Sequence, residues 1–198
     1  MSLLAVLHLI SAVLGVGTAS VYSNCNFDVF FVPITDQNAE MQLLGPNGFH
    51  MSYDQNLQDV GVSIKLGISQ ASLYGGAISQ FEFTWHGNKI YWDLSNVNGN
   101  GNSSASYPFY QGGANLLPSM IDDPSNPTCE PVICLPGQTV CDAAYNDPND
   151  IRTMICDQNS DLTLILCPGG TKQVRQPIRQ YKHLSSHQHH RPPYMLSP

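Results

Sequence analysis

Two acidic residues carry the most informative chemistry in the sequence. Glu82 sits in Phe81-Glu82-Phe83-Thr84-Trp85 and Asp93 in Ile90-Tyr91-Trp92-Asp93-Leu94, two runs in which apolar and polar residues alternate on either side of Gly87-Asn88. Alternation of period two predicts half-buried strands, and a two-residue turn with glycine first suits the II′ geometry of tight hairpins. Centring the turn there pairs Trp85 with Ile90, Phe83 with Trp92 and Phe81 with Leu94 on one apolar face. The same register sets Thr84 against Tyr91, and Glu82 directly against Asp93, on the opposite face. Directly opposed Cβ atoms lie about 4.5–5.5 Å apart, and like charges at that spacing repel. A nearby cation, a bound metal, a raised carboxyl pKa or exposure to water would each offset the repulsion.

Other reactive groups form no comparable arrangement. The body has two histidines, His50 and His86, and His86 flanks the expected hairpin turn, so no Ser/His/Asp assembly can be argued. His187, His189 and His190 could hold a transition metal loosely, but a short polar histidine tract more often serves as a soluble tail. No metal site and no cofactor is therefore expected. Trp85 and Trp92 fall on the inward face and read as core.

The elements that position the acidic pair are strands. Val62, Ile64, Leu66 and Ile68 alternate with Ser63, Lys65, Gly67 and Ser69, and Tyr22–Val32 and Leu162–Cys167 read as more continuous apolar strands near the middle of a sandwich. The best short helical candidate is Cys141–Tyr145. Residues 107–156 are rich in Pro, Gly, Asn and Asp and hold four of the six cysteines, which suggests a loop subdomain fixed by disulfides. Asn98–Ser106 reads as a flexible surface loop, and it contains the sequon Asn102-Ser103-Ser104.

Composition and charge narrow the class. Only 12% of the 198 residues are charged and 42% are hydrophobic, so a sizeable core is available and the chain suits one domain with appendages. All fifteen acidic residues lie between Asp28 and Asp161, against the three bases Lys65, Lys89 and Arg152, a net −12. From Lys172 onward there are five bases and no acid. An acidic body of this size repels phosphate backbones, so nucleic acid is not the expected partner. Beyond Thr171 the chain has neither periodicity nor cysteine, and residues 172–198 are expected to be a disordered basic, His/Pro-rich tail.

The N-terminus reads as a signal peptide, residues 1–19. Leu3–Val16 is predominantly apolar but too short to cross a bilayer, and Gly17-Thr18-Ala19 supplies the small residues a leader peptidase accepts. Cleavage is expected after Ala19. A mature chain starting at Ser20 lacks the N-terminal histidine of copper-dependent oxidative polysaccharide enzymes. Neither a transmembrane helix nor a lipid-anchor signal is apparent, so a secreted, soluble monomer without an integral membrane segment is expected. In an oxidising compartment the even set Cys25, Cys129, Cys134, Cys141, Cys156 and Cys167 implies three disulfides, with fifteen pairings open by counting alone.

Several segments together resemble the thaumatin-like family, and more closely its small fungal branch of Blastomyces yeast-phase-specific, or antigenic thaumatin-like, proteins. The resemblance is carried by SNCNFDVFF, FEFTWHGNKIYWDLSNVNG, CDAAYNDPND, IRTMIC and DLTLILCP. It covers about residues 21–169; the family's G-x-x-x-C-x-T-G-D-C signature and its extra cysteines are absent. It implies an all-β, thaumatin-like β-sandwich over residues 20–171 with a disulfide-rich loop subdomain. It also implies the pairs Cys25–Cys167, Cys129–Cys156 and Cys134–Cys141.

The resemblance further implies an acidic cleft. By position its members fall on Glu82, Asp93 and Asp150, with Asn98 where many relatives carry aspartate, and Tyr91 and Tyr145 as aromatic neighbours alongside Tyr110. No arginine matches the family's cleft cation securely; Lys65 is the nearest base on a plausible strand. Three readings fit the acidic pair: a solvated sheet face without function, a carbohydrate-binding cleft, or the two carboxylates of a weak endo-β-1,3-glucanase. The leading expectation is a non-catalytic extracellular or cell-wall protein that contacts β-glucan through the cleft. A secreted effector or adhesin that binds a host protein through another surface is the alternative from a different class. Glycosylation of Asn102 is expected if the protein is secreted.

Overall fold

The computed structural model describes residues 16–35, 40–46, 49–53, 59–99, 107–120 and 128–170. The described chain forms eleven strands, β1 (Ala19–Ser23), β2 (Val29–Ile34), β3 (Gln42–Leu44), β4 (Phe49–Tyr53), β5 (Val62–Gly67), β6 (Ser79–His86), β7 (Lys89–Ser95), β8 (Ala114–Pro118), β9 (Val132–Cys134), β10 (Met154–Asp157) and β11 (Leu162–Leu166). A short helix, α1 (Gln70–Leu73), lies between β5 and β6. Residues 1–15 of the expected signal peptide, the sequon at Asn102 and the expected basic tail lie outside the described residues.

Two sheets pack face to face. One has the order β4-β1-β11-β8-β9 and the other β10-β7-β6-β5-β2-β3. Every pairing is antiparallel except that of the first strand with the last, β1 beside β11. Period-two sequences on both inner faces fill the space between the sheets. Phe81, Phe83 and Trp85 from β6 and Ile90, Trp92 and Leu94 from β7 are all buried. Facing them from the other sheet are Val21, Leu116, Leu162, Leu164 and Leu166, each fully buried. Burying a large apolar side chain contributes roughly 1.5–3 kcal/mol, so this double layer dominates the stability. Phe83 packs edge-on against Trp85 with ring centroids 5.2 Å apart. Both indoles are satisfied inside the core, Trp85 Nε1 donating to the Gln158 carbonyl at 3.0 Å and Trp92 Nε1 to Cys156 Sγ at 3.2 Å.

The β6–β7 register is the one the sequence predicts, from Phe81 opposite Leu94 to Trp85 opposite Ile90. Gly87 adopts φ 61°, the conformation for which a residue without Cβ is suited. Three sequence expectations are corrected. Tyr22–Val32 is not one strand: β1 ends at Ser23, Asn24 N–H bonds the Leu166 carbonyl at 3.0 Å, and the chain then crosses to the other sheet as β2. Cys141–Tyr145 makes a single turn: the Tyr145 N–H, which a helix would direct to the Cys141 carbonyl, donates instead to the Leu94 carbonyl of β7 at 2.9 Å, Pro148 has no N–H to offer Ala144, and the Asn146 side chain bonds the Cys141 and Ala144 carbonyls. Ile68 lies past the end of β5 and is exposed, as the chain turns there into the Ser69 cap of α1. That helix was not anticipated; its capping box joins Ser69 and Ser72, a serine pair in place of the usual glutamate or glutamine partner.

Three disulfides join Cys25 to Cys167, Cys129 to Cys156 and Cys134 to Cys141, the pairs implied by the resemblance. The first spans a sequence separation of 142 and links the ends of the β1–β11 pair; in the chain-entropy model a loop of that length is worth about 4–5 kcal/mol. Residues 107–156 include the disulfide-tied loops, and they also give β8 and β9 to one sheet and β10 to the other.

The Cys25–Cys167 bridge leaves no room beside it. A Cβ on Gly112 would stand 2.5 Å from Cys167 Sγ and 2.7 Å from its Cβ. Overpacking of this kind costs about 1–3 kcal/mol. Gly112→Ala should therefore lower the free energy of unfolding by about 1–3 kcal/mol, seen as a lower denaturant midpoint at an unchanged m-value in equilibrium unfolding followed by tryptophan fluorescence.

Candidate functional site

The outer face of the six-stranded sheet carries the acidic pair. Reading across neighbouring strands, Ile34 on β2 pairs with Ser63 on β5, Ser63 with Glu82 on β6, and Glu82 with Asp93 on β7. Beyond Asp93, Thr153 precedes β10, whose Met154 pairs with Trp92. The next row brings Thr84 opposite Tyr91. All of these residues except Met154 line an open cavity of about 390 Å³, whose wall also includes Thr35. Alternation explains the arrangement: the register that buries the aromatic face turns each intervening polar residue outward onto one surface.

Below about neutral pH a proton on Asp93 relieves the repulsion between the two carboxyl groups. Partial burial, reinforced by the charge of Glu82, raises the Asp93 pKa from 3.8 to about 7. Asp93 Oδ1 is buried and has no hydrogen-bond partner. Among the described residues Lys89 forms a side-chain ion pair with Asp157 and His86 a 2.5 Å hydrogen bond with Asp59, and neither reaches the acidic pair. Lys65 stands opposite Gln80, away from the cavity lining. No group of three or more His, Cys, Asp or Glu side chains suited to a metal occurs among the described residues.

The remaining candidates occupy distinct positions. Tyr91 lines the cavity. Tyr145 does not, but its hydroxyl lies 2.8 Å from Thr153 Oγ1 and its backbone bridges β7 through Leu94 and Asn96, so it braces one wall. Asn98 is exposed beyond β7 and accepts from Gln80 Nε2 at 3.3 Å. Asp150 closes a turn: its Oδ2 accepts from the Asn146 and Asp147 N–H groups at 2.8 and 3.1 Å, which holds its pKa below the usual carboxylate value. Asn98 and Asp150 are thus outside the cavity lining. Tyr110 belongs to a second cavity of about 290 Å³, lined also by Phe27, Pro108 and Phe109. The hydroxyls of Thr35, Ser63, Thr84 and Thr153 were missed as site groups. Ser63 and Thr84 were legible as outward positions of their strands, whereas Thr35 and Thr153 join the site only through pairing between distant segments.

With the sandwich and its acidic face established, comparison with known proteins gives the family. The model described as Blastomyces yeast-phase-specific protein matches residues 6–168, and the chain belongs to that family. It is 33% identical over 171 residues to an antigenic thaumatin-like protein of Arthroderma benhamiae, covering 83% of this chain and 80% of the relative. It is 28% identical over 152 residues to the secreted thaumatin-like protein calA of Emericella nidulans, covering 76% and 81%. Among solved structures, the protein elicitor MoHrip2 from Magnaporthe oryzae superposes with a TM-score of 0.59 at 18% identity, covering 76% of this chain and 98% of that one. The fold is the all-β thaumatin-like fold. Among the described residues, no helix is long and apolar enough to cross a membrane.

The proton on Asp93 links the site to stability. Between about pH 4 and 7 the folded protein keeps a proton that the unfolded chain has released, so stability falls as pH rises through this window and levels off above it. The loss should amount to a few kcal/mol, at roughly 1.4 kcal/mol per pKa unit. Thermal unfolding measured from pH 4 to 8 should show this slope from Asp93, and Asp93→Asn should flatten it and raise the melting temperature at pH 8. Asp150→Asn should act in the opposite sense, removing stability that is present above the carboxylate range and lost as pH falls below about 4.

Proposed function

We propose that this protein is a secreted extracellular or cell-wall protein that binds a neutral, hydroxyl-rich polysaccharide of the β-glucan type in the cavity around Glu82, Asp93 and Tyr91, without hydrolysing it. The observation that carries the reading is the acidic pair itself, set in an open cavity with a buried, unpartnered carboxylate oxygen. Sugar hydroxyls are donors and acceptors in one group, and they match a site containing a carboxylate, a proton-bearing carboxyl and several side-chain hydroxyls. Tyr91 supplies an aromatic surface of the kind that packs against a sugar ring. An anionic ligand would meet uncompensated negative charge. The word glucan comes from the thaumatin-like resemblance, and secretion is supported by three disulfides together with a relative described as secreted.

A second reading, a secreted protein that acts on another protein, draws on one observation. Leu135 and Val140, within the loop closed by Cys134–Cys141, are more than half exposed beside the partly exposed Ile133. A partner bound there would be indifferent to the acidic pair.

Retention on insoluble β-1,3-glucan, with chitin as control, separates the readings. The wild-type protein should be retained selectively. Glu82→Gln should weaken retention about tenfold to a hundredfold, the size of one charge-assisted hydrogen bond, with an unchanged melting profile at pH 5. Absence of wild-type retention would remove the cavity reading, and release of new reducing ends would make the protein a hydrolase instead.

A further inference from the structure

Three residues that the sequence pattern assigns to the leader are built into the sandwich. Ala19 is fully buried and pairs with Leu162 at the start of the parallel β1–β11 ladder. Thr18 is held at both ends of its residue: its backbone N–H and its Oγ1 each donate to Asp161 Oδ1 at 2.8 Å, and its carbonyl accepts from Leu162 N–H at 2.7 Å. Gly17 donates to the Gln158 carbonyl at 2.9 Å, and a Cβ there would lie 2.3 Å from the Ser160 carbonyl oxygen, so only glycine fits the approach. Asp161 is itself positioned, its N–H donating to Ser119 Oγ at 2.9 Å.

We infer that the leader is removed no later than the Gly17–Thr18 bond, so that Thr18 and Ala19 remain in the mature protein as the start of its first strand. A cut after Ala19 would delete the partner of Leu162, leave Leu162 N–H without its acceptor and strip the Asp161 carboxylate of both its Thr18 donors. Backbone groups at a strand end that lose such partners cost stability when they are buried, and Leu162 is fully buried. The local sequence admits the earlier cut. Gly15 and Gly17 stand at the two positions before the Gly17–Thr18 bond where small residues are required.

The chemistry is peptide hydrolysis by a leader peptidase on the extended chain before it folds. Water adds across one amide: the leader departs with the new carboxylate, and the body keeps the new amine, protonated at neutral pH. At the Gly17–Thr18 bond the product has a useful consequence. The Thr18 nitrogen, already 2.8 Å from Asp161 Oδ1, becomes an α-ammonium facing a carboxylate.

The test is the identity of the first residue. The full chain secreted from a eukaryotic host should show Val16, Gly17 or Thr18 as its first residue by N-terminal sequencing and intact mass; a start at Ala19 or Ser20 overturns the inference. A second measurement does not depend on the host's peptidase. Forms secreted behind a fixed leader to begin at Thr18 or at Ser20 should differ in melting temperature by about 5 °C or more, the Ser20 form being the lower. Asp161→Asn should lower the melting temperature of the Thr18 form and leave the Ser20 form unmoved. Equal melting temperatures for the two forms, or equal responses to Asp161→Asn, would overturn it.

Discussion

The β6–β7 hairpin imposes the constraint on which the rest of the structure depends. Its two strands alternate strictly, and a two-residue turn fixes their register, so no slip can keep the aromatic residues inside. Burial of Phe81, Phe83, Trp85, Ile90, Trp92 and Leu94 drives the sandwich together. The same register forces Glu82 and Asp93 onto one outward row. Core and site are two faces of one alternation, and changing the site by moving the register would expose the core.

Two carboxylates held in register can coexist in three ways: with a cation between them, in open water, or with one proton shared out between them. Here the described cations are engaged elsewhere or stand apart, and Asp93 is partly covered by its neighbours. Up to about neutral pH a proton offsets the repulsion, and burial favours placing it on Asp93. The outcome is a polar cavity in which, below about neutral pH, a donor stands beside an acceptor. It also ties the fold's pH response to the chemistry of the site.

Closure of the chain adds a second constraint. The first strand lies parallel to the last, and parallel neighbours in sequence-distant positions cannot be joined by a short turn. The Cys25–Cys167 bridge fastens one end of that pair, and Thr18 with Asp161 fastens the other. Gly112, packed on the disulfide, and Gly17, packed on Ser160, mark two points along this closure where the approach is too close for any side chain.

The local features were readable from residue order alone. The hairpin pairing, the inward tryptophans, the outward Glu82 and Asp93 and the strand at Leu162–Leu166 follow from period-two patterning and turn chemistry, which act between near neighbours. Where a pattern was short or broken, it misled: Tyr22–Val32 hides a crossing between sheets at Asn24–Asp28, and one turn at Cys141 resembled the start of a helix. The choice of strand neighbours was decided only by tertiary packing, which placed Ser63, Thr35 and Thr153 beside the acidic pair, put Asp150 into a turn and moved Tyr110 to another cavity. The proton on Asp93 belongs to that level too, because desolvation and charge repulsion depend on what surrounds a group in space, and a sequence specifies only what precedes and follows it.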